Sequence, residues 1–230
     1  MRRLHLLVAV FSRCACSVYN GEWVSQPDMD VERYGTAVAV VESKLYVCGG
    51  TSGGDYLDTV EVYDSSAGTW STGESMPTSR RYLGVGAIGR KLYAVGGYYD
   101  GYIHTLEIYD TANDTWTQGA DMPTARSILG VDVIGDKLYA VGGWAGPSSG
   151  ARDELEEYDP STDAWTSRAS LPTARGYLDV ATLDDKLYAI GGYDGTDYFD
   201  EVTRWDPSTD AWTTLASLAT PRRRLGVGAA

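Results

Sequence analysis

A chain of 230 residues, 43% of them apolar and 22% charged, has the make-up of a globular protein able to bury one good core. Its formal net charge of −13 argues against nucleic acid as a main partner, because phosphate binding needs a basic footprint. It has no run of roughly 18 apolar residues, so no membrane span is expected.

Residues 1–18 read as a leader or weak secretory signal: Arg2-Arg3, the apolar Leu4–Phe11, then small residues around Ser12–Ser17. The chain is secreted if residues 1–17 are a signal peptide, and the cytoplasm is its default location otherwise. Cys14-Ala15-Cys16 has the wrong spacing for the usual zinc or redox pairs. Cys48 reads as a small buried apolar residue.

From there the chain repeats. Gly-Gly occurs at Gly49-Gly50, Gly96-Gly97, Gly142-Gly143 and Gly191-Gly192, at intervals of 47, 46 and 49 residues. Each pair closes a Lys-Leu-Tyr-apolar-apolar run and is preceded by an arginine: Arg33, Arg80, Arg126 and Arg175. Downstream come Tyr63, Tyr109, Tyr158 and Trp205, each followed seven residues later by Trp70, Trp116, Trp165 or Trp212. A period this steady means copies of one supersecondary unit.

One copy reads as four strands. Gly84–Ile88 and Lys91–Val95 are apolar on both alternating faces, as in strands buried on both sides. Thr105–Asp110 gives a third strand, and Thr115–Thr117 starts a fourth beyond a polar turn. The order Gly-Gly, Tyr, Trp at about fifty residues resembles the Kelch repeat. The resemblance covers roughly residues 19–230 and implies an all-β, Kelch-type β-propeller with the galactose oxidase-like fold.

Each copy is then one blade, with strands a, b, c and d. Four complete blades are expected, at about 33–72, 80–118, 126–167 and 175–214. Partial strands flank them: a lone strand d at 19–27 around Trp23, and a lone strand a at 222–230. The end segments supply d and a without b and c, so an open arc is expected, belonging to a fragment of a longer protein. Its uncapped terminal blades would favour self-association.

Catalytic signals are weak. Gly84-Val-Gly86-Ala-Ile-Gly89 spells a dinucleotide motif, but along a strand leading into another strand. Asp159–Asp163 and Asp206–Asp210 lack the glycine and glutamate of a calcium loop. The copper chemistry of galactose oxidase takes two His and two Tyr, and this chain has His5 and His104 alone. No catalytic residue, metal or cofactor is expected.

Binding signals are better. In an up-and-down blade the d–a and b–c loops emerge on one face. That face collects Arg80, Arg81, Arg126, Arg175 and Arg222 from d–a, with Tyr98, Tyr99, Trp144, Arg152 and Tyr193 from the b–c loops. Arg with Tyr and Trp is the composition of interface hot spots. The resemblance implies that this face holds acidic peptides. The repeated arginines have a second reading, as braces paired with Glu61, Glu107 or Glu156 on strand c. The expected function is therefore a non-catalytic protein- or peptide-binding module. The alternative is a sugar or sugar-acid enzyme, isomerase-like, with its site in the central channel.

Overall fold

The computed structural model describes residues 9–11, 14–19 and 22–228, with side chains from residue 25 onward. The described residues contain strands and no helix. Four antiparallel sheets of four strands follow one another as the blades of a β-propeller. Blade 1 has strands a Ala37–Val41, b Lys44–Cys48, c Val60–Asp64 and d Thr69–Gly73. Blade 2 has Gly84–Ile88, Lys91–Val95, Leu106–Asp110 and Thr115–Gln118. Blade 3 has Gly130–Ile134, Lys137–Trp144, Ala151–Asp159 and Ala164–Arg168. Blade 4 has Asp179–Leu183, Lys186–Ile190, Val202–Asp206 and Ala211–Thr214. Consecutive a strands pack on one another, which puts them innermost.

The double apolar face of strand b explains the stacking. In blade 1, Tyr46 and Cys48 point to Leu83, Leu92, Ala94 and Tyr109 of blade 2. Leu45 and Val47 point the other way, to Met29 and Tyr63. The same exchange joins Tyr93 and Val95 to Leu138 and Tyr158, then Tyr139 and Val141 to Leu187 and Trp205. Each blade is thus a layer with core on both sides, and a lone blade could bury neither.

The outer strands are clipped as well. Trp116, Trp165 and Trp212 donate their indole N–H to the backbone oxygens of Glu74, Ala120 and Ala169 in the preceding blade, at 2.7–2.8 Å. At the c–d turn, Asp114 accepts from the Tyr109 hydroxyl and, at 2.7 Å, from Glu74 N of the preceding blade. Asp163 does the same with Tyr158 and Ala120 N, and Asp210 with Trp205 and Ala169 N. Blade 1 has Gly68 at this turn, and its Tyr63 hydroxyl goes to Gln26 instead.

These clips should show in acid. The Tyr109 hydroxyl and Glu74 N–H hold Asp114 below the usual carboxylate range, and Ala120 N–H and the Tyr158 hydroxyl do so for Asp163. A carboxylate depressed in the fold stabilises it above the unfolded value, near 4, and loses that contribution as pH falls through its folded value. Thermal stability should therefore fall as pH drops below about 4. Asp114→Asn with Asp163→Asn should flatten that slope; an unchanged slope would show that the clips carry no titration-linked stability.

Before blade 1 lies a three-stranded antiparallel sheet: β1 (Ala9–Phe11), β2 (Cys14–Tyr19) and β3 (Glu22–Asp28), in the order β1-β2-β3. The strand expected at 19–27 is thus not alone. β3 stands where a preceding strand d would, since Pro27 O accepts the Trp70 indole N–H at 2.7 Å. β2 and β1 then take the places of c and b. The expected leader falls partly on residues 1–8 and 12–13, outside the described residues; what is described within it is strand. Residues 222–228, the described part of the expected final strand a, form no ladder. This segment is held by separate hooks: Arg222 N to Phe199 O, Gly192 N to Arg222 O, and Arg224 N to Tyr177 O, all 2.9 Å. On the outer flank of blade 4, Tyr188, Ile190 and Val202 are half-buried although their counterparts Tyr93, Val95 and Leu106 are buried.

Candidate functional site

The repeated arginines lie inside the blades. Arg33, Arg80, Arg126 and Arg175 have fully buried side chains paired with Glu61, Glu107, Glu156 and Glu201. Further guanidinium N–H groups go to backbone carbonyls in or just after strand b, such as Arg80 to Gly96 O at 3.0 Å and Arg126 to Ala140 O at 3.1 Å. Thr78, Thr124 and Thr173 complete the carboxylates from the d–a segment. Arg80, Arg126 and Arg175, candidates for direct binding, therefore offer no guanidinium surface and serve as braces. Arg222 has the same place in the repeat but no blade around it, and it is exposed. Arg152 is ion-paired with Glu154 two residues on. Tyr99 is 50% exposed and meets Tyr56 edge-on, with ring centroids 5.4 Å apart.

The residue after each repeated arginine behaves differently. At this position stand Tyr34, Arg81, Ser127, Gly176 and Arg223. Each of the first four pairs by an isolated bridge with the residue just after the Gly-Gly pair of the same blade: Thr51, Tyr98, Trp144 and Tyr193. The b–c aromatics are therefore gathered beside the d–a loops. The Arg81 guanidinium lies over the rings of Tyr56, Tyr82 and Tyr98, 5.1–5.5 Å from their centroids. The Arg223 guanidinium lies over Tyr177, Tyr193 and Tyr198 at 4.6–5.1 Å. Among the described residues neither has a carboxylate partner, unlike the buried arginines. Both line one cavity of about 420 Å³, with Tyr98, Tyr102, Trp144, Tyr177 and Tyr193 in its walls. Burial raises the Tyr102 hydroxyl above the usual range, so it stays a neutral donor there. Of the candidate residues, Arg81, Tyr98, Trp144 and Tyr193 are brought together. Arg223 and Tyr102 also lie on the face expected from the loop topology, and Tyr177 joins them from the d–a segment. The available signal was the position just after the repeated arginine, which varies between copies while the arginine does not.

Below this cavity the next residues form a belt. Tyr82, Ile128, Tyr177 and Arg224 have φ of 49–56°, and Gly35 has 67°. This left-handed turn aims each amide at the previous blade: Tyr82 N donates to Gly35 O, Ile128 N to Tyr82 O, Tyr177 N to Ile128 O and Arg224 N to Tyr177 O, at 2.6–3.0 Å. Strain of this kind persists where surrounding structure determines it. The belt rims the channel between the a strands.

The channel itself is a cavity of about 520 Å³. Its two carboxylates have structural duties. Asp132 accepts from Thr182 N at 2.6 Å, and Asp179 from Val227 N at 2.7 Å, each across a blade boundary. Burial pushes Asp179 up to about 6, against the pull of the Val227 and Val180 N–H donors. Burial likewise pushes the Cys48 thiol up to about 12, so it is no nucleophile at neutral pH. Among the described residues no group of three or more His, Cys, Asp or Glu could hold a metal, and no helix is long and apolar enough to cross a membrane.

The Kelch motif model matches residues 32–77, 79–123, 125–172 and 174–219. The chain is similar to Kelch-like protein 28 of Homo sapiens, 32% identical over 87 residues, which is 34% of this chain and 15% of that protein. It is 37% identical over 76 residues to Kelch-like protein 11 of Homo sapiens, covering 33% of this chain and 11% of the relative. A segment of 76 residues is 38% identical to an F-box/kelch-repeat protein of Arabidopsis thaliana, covering 33% and 20%. The matched part thus spans a small share of the length of these relatives.

Proposed function

Since the chain belongs to the Kelch-repeat family, we propose that it is a non-catalytic module that binds a partner protein through the d–a and b–c face, holding an acidic segment of that partner. One observation carries this reading: Arg81 and Arg223 are unpaired cations stacked on tyrosines in one cavity. Stacking occupies the faces of a guanidinium and leaves its in-plane N–H edge, the edge that forks onto carboxylates. Trp144 and Tyr193 are the aromatic anchors, adding apolar area with little side-chain entropy to lose. Arg80, Arg126 and Arg175 support the face from within. Arg222, Tyr99 and Arg152 lie at its margin.

A library of fluorescent peptides rich in Asp and Glu tests the reading. Acidic peptides should bind, more weakly as salt rises. Arg81→Gln and Arg223→Gln should each weaken binding about tenfold, roughly the worth of one charge-assisted hydrogen bond. Trp144→Ala should weaken it at least as much. Equal binding of neutral peptides, or affinity indifferent to both arginines, would sink the proposal. The competing reading, a sugar or sugar-acid enzyme, would have to work with Asp132 and Asp179, and no specific observation favours it.

A further inference from the structure

Beneath the arginine-lined cavity lies a second one with different chemistry. It measures about 320 Å³ and shares Tyr82, Ile128 and Tyr177 with the cavity above, so the two adjoin at the belt. Its walls come from the residue three after each repeated arginine: Thr36, Leu83, Leu129 and Leu178. The three leucines also belong to the cores between successive blades, so packing fixes their positions. The pocket is therefore preformed.

The belt adds little free polarity. Its amides from Tyr82 to Arg224 each donate to the carbonyl of the belt residue before, at 2.6–3.0 Å. An apolar group passing the belt strands none of these N–H donors. Water in the pocket finds few partners, since a buried water makes about two to four hydrogen bonds.

Two kinds of recognition are thus stacked. Above are the in-plane edges of Arg81 and Arg223, and below is an apolar socket. Arg81 comes from blade 2 and Arg223 from the segment after blade 4. Tyr82, Ile128 and Tyr177 stand around the belt between them, so carboxylates on the two arginines straddle the entrance. A lone anion would leave the socket to water. A purely apolar segment would leave both guanidinium groups without counter-charges.

We propose that the bound segment carries an aliphatic residue of leucine or methionine size between its acidic residues, and that this side chain enters the pocket over Leu83, Leu129 and Leu178. This rests on the binding of an acidic segment proposed above, and narrows its sequence to acidic, aliphatic, acidic. The carboxylates set the segment's position at the arginines, and the aliphatic side chain adds buried apolar area below.

Fluorescence anisotropy with acidic peptides tests the inference, using a common Asp-Glu-X-Glu-Asp core in which X is Leu, Met, Ala or Ser. The Leu and Met peptides should bind about tenfold more tightly than the Ala peptide, the effect of burying roughly two more methylene groups. The Ser peptide should do no better than Ala. Thr36→Phe fills the pocket from a half-buried wall position. It should erase the preference for Leu over Ala and leave the Ala peptide's affinity nearly unchanged. If that variant unfolds, the peptide series decides alone. Equal binding of the Leu, Ala and Ser peptides, with Arg81→Gln still weakening all three, overturns this inference and leaves the acidic-segment reading standing. A Leu preference that survives Thr36→Phe in a folded protein places the side chain elsewhere and overturns it too. Equal binding of a Leu peptide flanked by Gln removes the acidic-segment reading and this inference with it.

Discussion

Glu156→Ala is expected to cost about 3–5 kcal/mol of folding stability, because it strands a buried guanidinium without its counter-ion. The Arg126 side chain is fully buried and Glu156 is 2% exposed, with 2.8 Å between them. Burial pulls Arg126 below the usual arginine range, and Glu156 is the main group holding its proton in place. Removing the carboxylate leaves a charge that can neither reach water nor readily lose its proton. Glu42→Ala, which breaks the exposed pair with Arg90 at 3.5 Å, should cost less than about 1 kcal/mol. Glu201→Ala should fall between the two, since that carboxylate is 29% exposed. Replacing both partners, Arg126→Met with Glu156→Leu, should recover most of the loss. Guanidinium denaturation midpoints check the order. Equal effects of Glu156→Ala and Glu42→Ala would refute the bracing role. The same experiment explains why Arg126→Ala is a poor probe of ligand binding: it would disturb the blade before it reported on a ligand.

The blade was legible because its signals are periodic. Gly-Gly, Tyr and Trp recur at fixed offsets, and the doubly apolar strand b announces a layer buried on both faces. The brace was legible for three blades, where Glu61, Glu107 and Glu156 stand two residues before the strand-c aromatic. In blade 4 Thr203 holds that place, and Glu201, two residues earlier on the same face, pairs with Arg175 while Thr203 Oγ1 accepts from it at 2.9 Å. A substitution offset by one strand repeat is invisible to position matching. The site was half legible. Arg81, Tyr98, Trp144 and Tyr193 stood out as departures from the repeat, whereas Tyr177, and the separation of Arg223 from its neighbouring arginines, depended on knowing that the residue after the repeated arginine turns outward onto the b–c loop. That is a consequence of the left-handed turn at the next residue, and tyrosine, isoleucine or arginine there gives no sequence warning of positive φ.

Gly96→Ala is expected to cost about 3 kcal/mol or more and to loosen blade 2 from blade 3. Two effects combine. The residue has φ of 63°, where any side chain costs roughly 1–2 kcal/mol. An added Cβ would also lie 2.6 Å from the carbonyl oxygen of Arg126, a backbone atom that cannot swing away. That oxygen accepts from Gly97 N at 2.9 Å, so moving it breaks the hook joining strand b of one blade to the braced arginine of the next. The pattern repeats at Gly50 N on Arg80 O, Gly143 N on Arg175 O and Gly192 N on Arg222 O, at 2.8–3.0 Å. Gly89→Ala isolates the first effect. Gly89 has φ of 60° but open space around it, so it should cost only the backbone term. A Gly96→Ala loss matching that of Gly89→Ala would mean that the close approach carries no energy. If it is larger, amide exchange should quicken first at Gly97, next to the altered residue and bonded to the displaced oxygen. The first glycine of each pair is then required by what the neighbouring blade places against it. The second supplies the N–H that holds that neighbour, and Arg126, braced from inside by Glu156, keeps its carbonyl where that N–H can reach it.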